Sequence, residues 1–306
     1  MLVTVFTPTY NRGYIIGKLY ESLKKQSFRD FEWLIIDDGS TDNTEALIES
    51  FKRNNDFFPI RYVKTENGGK HRAINIGVRI AKGSLFFIVD SDDYLPEDSL
   101  EIMTKVESTI DKIEKNNFAG LCGLKSLSSG YVVGRGLDCE YCDATTIELK
   151  KKGVFGDKAE VFYTHVLEQN PFPEFEGEKF CTESIVWDRI AQRGLKMRYF
   201  NKSIYSCDYL EDGLTHQGYQ LYANNPKQWG LSIYQDYEFS KTTLYEKSLE
   251  IYKYFLLENK RLSMDDMAEY LYTKTFLVKL YVSFHSLVDI FRRVLGKTTI
   301  KKLLFN

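Results

Sequence analysis

Residues 31–44 read FEWLIIDDGSTDNT, an apolar run from Phe31 to Ile36 that passes directly into the acidic pair Asp37 and Asp38, a glycine, and a helix-start signal. A short apolar run bounded by turn residues reads as a buried strand. Thr41 or Asp42 suits the cap of a helix from about 42 to 53, with Ala46, Leu47, Ile48 and Phe51 on one side. Upstream, Leu2 to Thr7 is β-branched and apolar, and Ile15, Ile16, Leu19, Tyr20 and Leu23 recur at helical spacing. Downstream, strands are predicted at 60–63 and 84–89 around a helix at 70–81. Strands alternating with helices of about a dozen residues imply an α/β fold with a mostly parallel sheet.

In such sheets ligands bind beyond the carboxyl ends of the strands. The residues there are Pro8, Thr9, Tyr10 and Asn11 after the first strand, Asp37 to Ser40 after the second, Glu66 to Lys70 after the third, and Asp90, Ser91, Asp92 and Asp93 after the fourth. Carboxylates on alternate residues of an extended loop direct hard oxygen ligands to one point, the donor type suited to Mg²⁺ or Mn²⁺ bridging to phosphate. Taken alone, each acidic cluster reads more readily as a solvated turn with a helix cap. Their recurrence after successive strands of one sheet shifts the reading towards a site.

The 306 residues carry 41 Lys and Arg against 43 Asp and Glu, a near-neutral balance that argues against nucleic acid as a partner. Five cysteines, an odd number, are expected as free thiols in a reducing compartment. Cys139 and Cys142 lack the second pair or nearby His of a zinc site. The opening MLVTVFTPTYN has no basic segment followed by an apolar one, so a cytoplasmic location is expected. The most apolar late segment, 276–291, is broken by Lys279, His285 and Asp289, and no membrane-spanning helix is expected.

Beyond a helix predicted at 97–115 the pattern loosens. Residues 119–180 hold many Gly and short apolar runs, then come an amphipathic helix at 183–193 ended by Gly194, a strand at 197–199 and a polar loop at 208–218. From about 226 the chain reads as helical, which puts a domain boundary near 220. Residues 285–306 hold Arg292, Arg293, Lys297, Lys301 and Lys302 against Asp289, with Val288, Phe291, Leu295, Leu303, Leu304 and Phe305 as an apolar component. That mixture suits peripheral contact with an anionic membrane surface, or equally a helix packed on the rest of the protein.

FTPTYNR at 6–12, KKQSFRDFEWLIIDDGSTDNT at 24–44, ENGGKHRAINIGVRIAKG at 66–83 and FFIVDSDDYL at 86–95 together resemble the glycosyltransferase family 2 enzymes of the GT-A fold. Later stretches resemble the family in patches, chiefly FPEFEGEKFCTES at 172–184 and YLEDGLT at 209–215. The resemblance implies a catalytic domain over 1–220, its first 100 residues binding nucleotide and 101–220 the acceptor, followed by a helical region over 221–306. It further implies that Thr9 and Tyr10 line the nucleotide base and that Asp38 reads the uracil edge. Asp90 would then lie near the ribose, Asp92 would bind the metal on the diphosphate, and Asp93 would support it or touch the sugar. The family's Ala-Arg-Asn triplet is displaced here, so either Lys70 or Arg72, near Asn75, is expected to supply positive charge.

Glu183, about 90 residues beyond the acidic cluster at a helix start, matches the position of the base that takes the acceptor's proton. The same position also suits a Glu favoured by the helix dipole, and Asp188 is the reserve. Asp157, Asp212 and His216 are candidate donor or acceptor contacts that turn formation or surface placement explains as well. The expected activity is metal-dependent, inverting transfer of a sugar from a UDP-linked donor to a saccharide or lipid-linked saccharide during surface or capsular polysaccharide assembly. A nucleotidyltransferase and a catalytically inactive nucleotide-sugar-binding protein are the alternatives. The first would want a basic, Gly-rich loop where TPTYNR stands.

Overall fold

The computed structural model describes residues 2–152, 154, 156–208, 218–239 and 242–295. The chain divides into two compact units, Met1–His216 and Gln217–Asn306.

The first unit opens with β1 (Val3–Thr9), α1 (Gly17–Lys24), β2 (Phe31–Asp37), α2 (Thr44–Arg53), β3 (Ile60–Lys64), α3 (Lys70–Ile80), β4 (Leu85–Ile88) and α4 (Ser99–Ser108). β5 (Phe118–Leu127), β6 (Tyr141–Ala144), α5 (Thr146–Lys151), β7 (Lys158–Tyr163), α6 (Thr164–Glu168), α7 (Ser184–Gln192) and β8 (Lys196–Cys207) follow. The eight strands form one sheet in the order β3-β2-β1-β4-β7-β5-β8-β6. β1 to β4 pair in parallel, and β7 attaches antiparallel to β4, where the sheet changes character. β7 and β5 are antiparallel, β5 and β8 parallel, β6 and β8 antiparallel.

Every residue of β1 and β2 is buried, which is why they read as unbroken apolar runs. Of the two carboxylates inside, Glu32 is satisfied by the Thr4 hydroxyl at 2.7 Å, the Lys82 N–H at 2.7 Å and Arg61 at 3.0 Å, and Asp37 by the Ser40 N–H at 2.7 Å and the Tyr62 hydroxyl at 2.5 Å. α3 lies so close to β1 that a Cβ on Gly77 would stand 2.2 Å from the Phe6 ring. Burying such strands on both faces is the main apolar contribution to this half, at about 25 cal/mol per Å² removed from water.

Two predicted elements differ. The helix expected over 97–115 ends at Ser108, because Ser108 and Thr109 turn their hydroxyls onto the carbonyls of Lys105 and Val106 (2.7 and 2.6 Å) and Asp111 caps a turn at Ile113 N–H. The short strand expected at 197–199 is the first quarter of β8, which runs twelve residues and continues through register shifts opposite β5.

The second unit holds α8 (Tyr219–Ala223), α9 (Pro226–Glu238), α10 (Leu244–Glu258), α11 (Met264–Tyr270) and α12 (Thr275–Leu295). Trp229, Ile251, Tyr254, Met267, Leu271 and Val278 form its core. Thr243 with Glu246, and Ser263 with Asp266, close reciprocal capping boxes that fix the starts of α10 and α11. No described helix is long and apolar enough to cross a membrane.

Candidate active site

The carboxyl ends of β1, β2 and β4 bring three polar turns to one edge of the sheet. After β1, Asn11 adopts φ 54°, a left-handed conformation that Asn tolerates better than most residues. Its Oδ1 accepts the Thr41 N–H at 2.8 Å and its own N–H donates to Ser40 at 2.8 Å, joining the turn after β1 to the turn after β2. Pro8 and Thr9 are buried in β1, and the Thr9 hydroxyl has no hydrogen-bond partner among the described residues. Tyr10 leaves its ring about half exposed at the same edge.

Asp38 is buried and turned inward. Its carboxylate accepts the N–H groups of Gly68 (2.7 Å) and Gly69 (2.8 Å) and the Asn67 amide (3.1 Å), so most of its acceptor capacity holds the loop ahead of α3. Burial nevertheless pushes its pKa above the ordinary carboxylate value. The expected contact with a uracil edge is left with the remaining lone pair.

That loop delivers Lys70. Gly69 caps α3 at φ 98°, and a Cβ there would lie 1.9 Å from the Lys179 carbonyl, so only glycine admits the approach of the 172–183 segment. Lys70, the first residue of α3, then places its ammonium 2.7 Å from Asp90 and 3.0 Å from Glu183. Glu183 is the residue immediately ahead of α7 and makes no cap hydrogen bond to it, so its carboxylate is held by Lys70 and not by its own helix.

Arg72 and Asn75 have a task other than the phosphate contact expected of that region. Arg72 donates to the carbonyls of Gly68 (2.6 Å), Glu178 (2.7 Å) and Phe175 (2.7 Å), and Asn75 exchanges hydrogen bonds with Phe172 at 2.8 and 3.0 Å. Both fasten to α3 the segment that leads to Glu183. The positive charge in contact with Asp90 is Lys70's.

In the turn after β4, Ser91 is buried, and Asp90 carries a pKa below the usual carboxylate value. Burial opposes its ionisation, but Lys70, with Lys125 and Arg12, outweighs it. Asp92 is pushed up by burial and by the charge of Asp90; Arg12 stands 3.9 Å away. Asp93 is pushed up to about 7, by burial first and Asp90 second, and takes a hydrogen bond from Tyr205. Asp188 is buried on α7, outside this cluster, and Asp157 is exposed in the turn before β7. Asp212 and His216 lie outside the described residues. Arg12, the last residue of the FTPTYNR stretch, to which the resemblance assigns no role, also borders the site, as do Lys125, Glu160 and Tyr205, which carried no motif by which the sequence would single them out.

Residues 4–125 match the family model described as Glycosyl transferase family 2. Among curated proteins, the glycosyltransferase GlyG of Streptococcus pneumoniae is 36% identical over 103 residues, which are 33% of this chain and 34% of GlyG. The poly(ribitol-phosphate) beta-N-acetylglucosaminyltransferase TarS of Staphylococcus aureus is also 36% identical over 103 residues, 33% of this chain and 18% of TarS. The matched region thus spans about a third or less of these relatives. In fold, S. aureus TarS 1–349 in complex with UDP-GlcNAc superposes with a TM-score of 0.57 over 94% of this chain and 92% of that one, at 16% identity. The mannosyltransferase PcManGT from Pyrobaculum calidifontis, in complex with GDP-Man and Mn²⁺, gives 0.50 over 99% of this chain and 78% of that one, at 18% identity. These likenesses show the GT-A arrangement of a central sheet flanked by helices.

Proposed function

We propose, from the premise that residues 4–125 belong to glycosyl transferase family 2, that the protein moves a sugar from a nucleoside diphosphate donor, UDP-linked, to a hydroxyl of a saccharide or lipid-linked saccharide in surface polysaccharide assembly. The TarS neighbour solved with UDP-GlcNAc supports the donor class. The observation that carries the reading is the Lys70 ammonium set between Asp90 and Glu183 at the strand-end edge.

Cleaving the sugar–phosphate bond develops negative charge on the diphosphate, and Lys70, the ammonium in contact with Asp90, is placed to meet it. As Lys70 turns to the diphosphate, Glu183 loses its ion-pair partner and becomes free to accept the proton of the attacking hydroxyl. A carboxylate is too weak a base to ionise an alcohol beforehand but takes the proton as the new C–O bond forms. Attack from the face opposite the diphosphate inverts the sugar carbon. Thr9 and the exposed ring of Tyr10 border the space for the base.

The residues present fit a divalent cation shared with the diphosphate. Among the described residues no group of three His, Cys, Asp or Glu is arranged to hold a metal alone. Asp92 is ionised only against burial and Asp90's charge, a penalty that an adjacent cation would relieve. A bound Mg²⁺ or Mn²⁺ would stabilise charge on the leaving diphosphate, and Asp92 would be its protein ligand.

We infer also that the C-terminal unit rests on an anionic membrane surface. Phe276, Leu280, Phe284, Leu287 and Ile290 recur every three or four residues along α12 and are all exposed, between 42% and 61%, while Val278, Val282 and Val288 face the core. A helix apolar on both faces needs a second apolar environment. The basic residues that follow in sequence favour anionic headgroups. The test of the enzymatic reading is release of UDP, GDP or dTDP from a panel of sugar nucleotides, with and without a lipid-linked acceptor. UDP release stimulated by acceptor is expected; no release from any donor would overturn it.

A further inference from the structure

A cavity opens beside Glu183 between β4, β5, β7 and α7, and it holds more charge than the ion pairs described above consume. Three ammonium groups, Lys70, Lys125 and Lys158, and three carboxylates, Asp90, Glu160 and Glu183, line it, with Trp187 and Ala159 as its apolar wall. Lys70 is taken by Asp90 and Glu183, and Lys158 donates to the Gly156 carbonyl at 3.0 Å. Lys125 on β5 and Glu160 on β7 remain. Neither side chain makes a hydrogen bond or a contact ion pair with another described residue; the Glu160 carboxyl has its own backbone N–H, and the Lys125 ammonium lies over the Tyr205 ring at 4.5 Å. Each still senses the other, since Glu160 raises the Lys125 pKa and Lys125 opposes the burial that pushes Glu160 up to about 7.

Groups of opposite sign held apart in a cavity, neither ion-paired nor hydrogen-bonded to another residue, call for something polar between them. We infer that the Lys125–Glu160 gap is a sugar-reading subsite built for an uncharged sugar ring, and that these two residues set its specificity. The inference rests on the proposed transferase reading. A ring hydroxyl both accepts and donates, so a polyol satisfies Lys125 and Glu160 together while its C–H face meets Trp187. A sugar carboxylate would gain Lys125 but meet Glu160, Asp90 and Glu183; a free sugar ammonium would meet Lys70, Lys125 and Lys158. With Glu160 ionised, the balance of three cations against three carboxylates therefore disfavours either charge, and the titrations that test it are run at pH 8 for that reason.

The ring belongs either to the donor or to the acceptor, and two arms separate these sources. In the first, calorimetry compares UDP-glucose with UDP-glucuronate, which differ by a carboxylate at one carbon, with UDP alone as control. In the second, methyl glucoside and methyl glucuronide are titrated onto the UDP-saturated protein. Wild type is expected to favour the neutral sugar in one arm. Glu160→Gln should shift that preference towards the uronate by about tenfold, the order of one charge contact, and Lys125→Met should shift it the other way. Unchanged ratios in both arms for both variants would overturn the inference. Retained UDP affinity in the variants shows that they are folded, and absence of UDP binding in wild type would instead overturn the transferase reading.

Discussion

The Tyr205 hydroxyl holds both ends of the Asp90–Asp93 turn: it donates to Asp93 Oδ2 at 2.6 Å and accepts the Asp90 N–H at 3.0 Å. The tyrosine is fully buried on β8, packs edge-on against Phe87 of β4, and stands beside the isolated bridge between Tyr94 and Ser206. The late half of the sheet thus fixes the geometry of an acidic turn made by the early half.

Removing that hydroxyl leaves the Asp90 N–H without its partner, at a cost of about 1–3 kcal/mol. Tyr205→Phe is therefore expected to lower the unfolding temperature and to weaken metal-dependent UDP binding several-fold. Calorimetry with UDP and Mn²⁺ reads the second effect. An affinity equal to wild type would show that the turn keeps its shape without Tyr205.

Much of this arrangement was legible in the sequence, and the physical reason differs between the two halves. β1 and β2 are buried on both faces and alternate with amphipathic helices, so a single period switch reveals them. β5 carries Gly120 and Gly123, where a Cβ would stand 2.0 Å from the Val161 carbonyl and 2.7 Å from Ile204, and glycines forced by close strand approach look like loop residues. β8 is interrupted by the exposed Asn201 and Lys202, which hide its alternation. Asp90, Lys70 and Glu183 sit in recognisable turns and helix starts. Tyr205 and Lys125 sit inside these obscured strands and Glu160 on the short β7 beside them, where no spacing marks a side chain as facing a site.

Glu183→Gln keeps the shape of the side chain and removes its capacity to take a proton. Loss of a general base costs about 10²- to 10⁴-fold in rate, so acceptor-dependent UDP release should fall by that order while UDP binding persists. Measuring turnover and UDP affinity on one preparation separates the two. Turnover at the wild-type level would move the base elsewhere.

Asp92→Ala should abolish the part of UDP binding that depends on Mg²⁺ or Mn²⁺, and leave metal-free binding near its wild-type value, since Asp92 is ionised against burial and Asp90's charge and its one ion pair among the described residues, to Arg12, is long at 3.9 Å. The comparison is a UDP titration with metal and with a chelator. Equal wild-type affinity under both conditions would remove the metal from the mechanism.

Glu160 sets a pH dependence of stability. Burial pushes its carboxyl up to about 7, Lys125 opposing and Glu183 adding to the shift, against about 4.3 for an ordinary Glu. From about pH 4 to 7 the native state holds this proton more firmly than the unfolded chain does. Its contribution is therefore complete below the unfolded value and is lost as pH rises through about 7. Glu160→Gln should flatten the decline of unfolding temperature between about pH 4 and 7, with Asp93, also pushed up to about 7, retaining part of it. A slope identical to wild type would place Glu160 in contact with water.

The exposed stripe of α12 makes the membrane reading testable without any knowledge of substrate. Phe284 and Leu280 are one turn apart on the face opposite Val278 and Val282, so an aspartate at both disturbs the stripe and leaves the core of the unit intact. In flotation with phosphatidylglycerol-containing vesicles, wild type should rise with the lipid, less so as salt increases and little with pure phosphatidylcholine, because headgroup charge and apolar burial both contribute. The Leu280→Asp, Phe284→Asp double variant should remain with the soluble fraction. Its unfolding temperature should stay close to wild type, since Leu280 is 56% and Phe284 42% exposed. Flotation equal to wild type would assign the stripe to another partner, and wild-type protein that ignores anionic vesicles would end the membrane reading altogether.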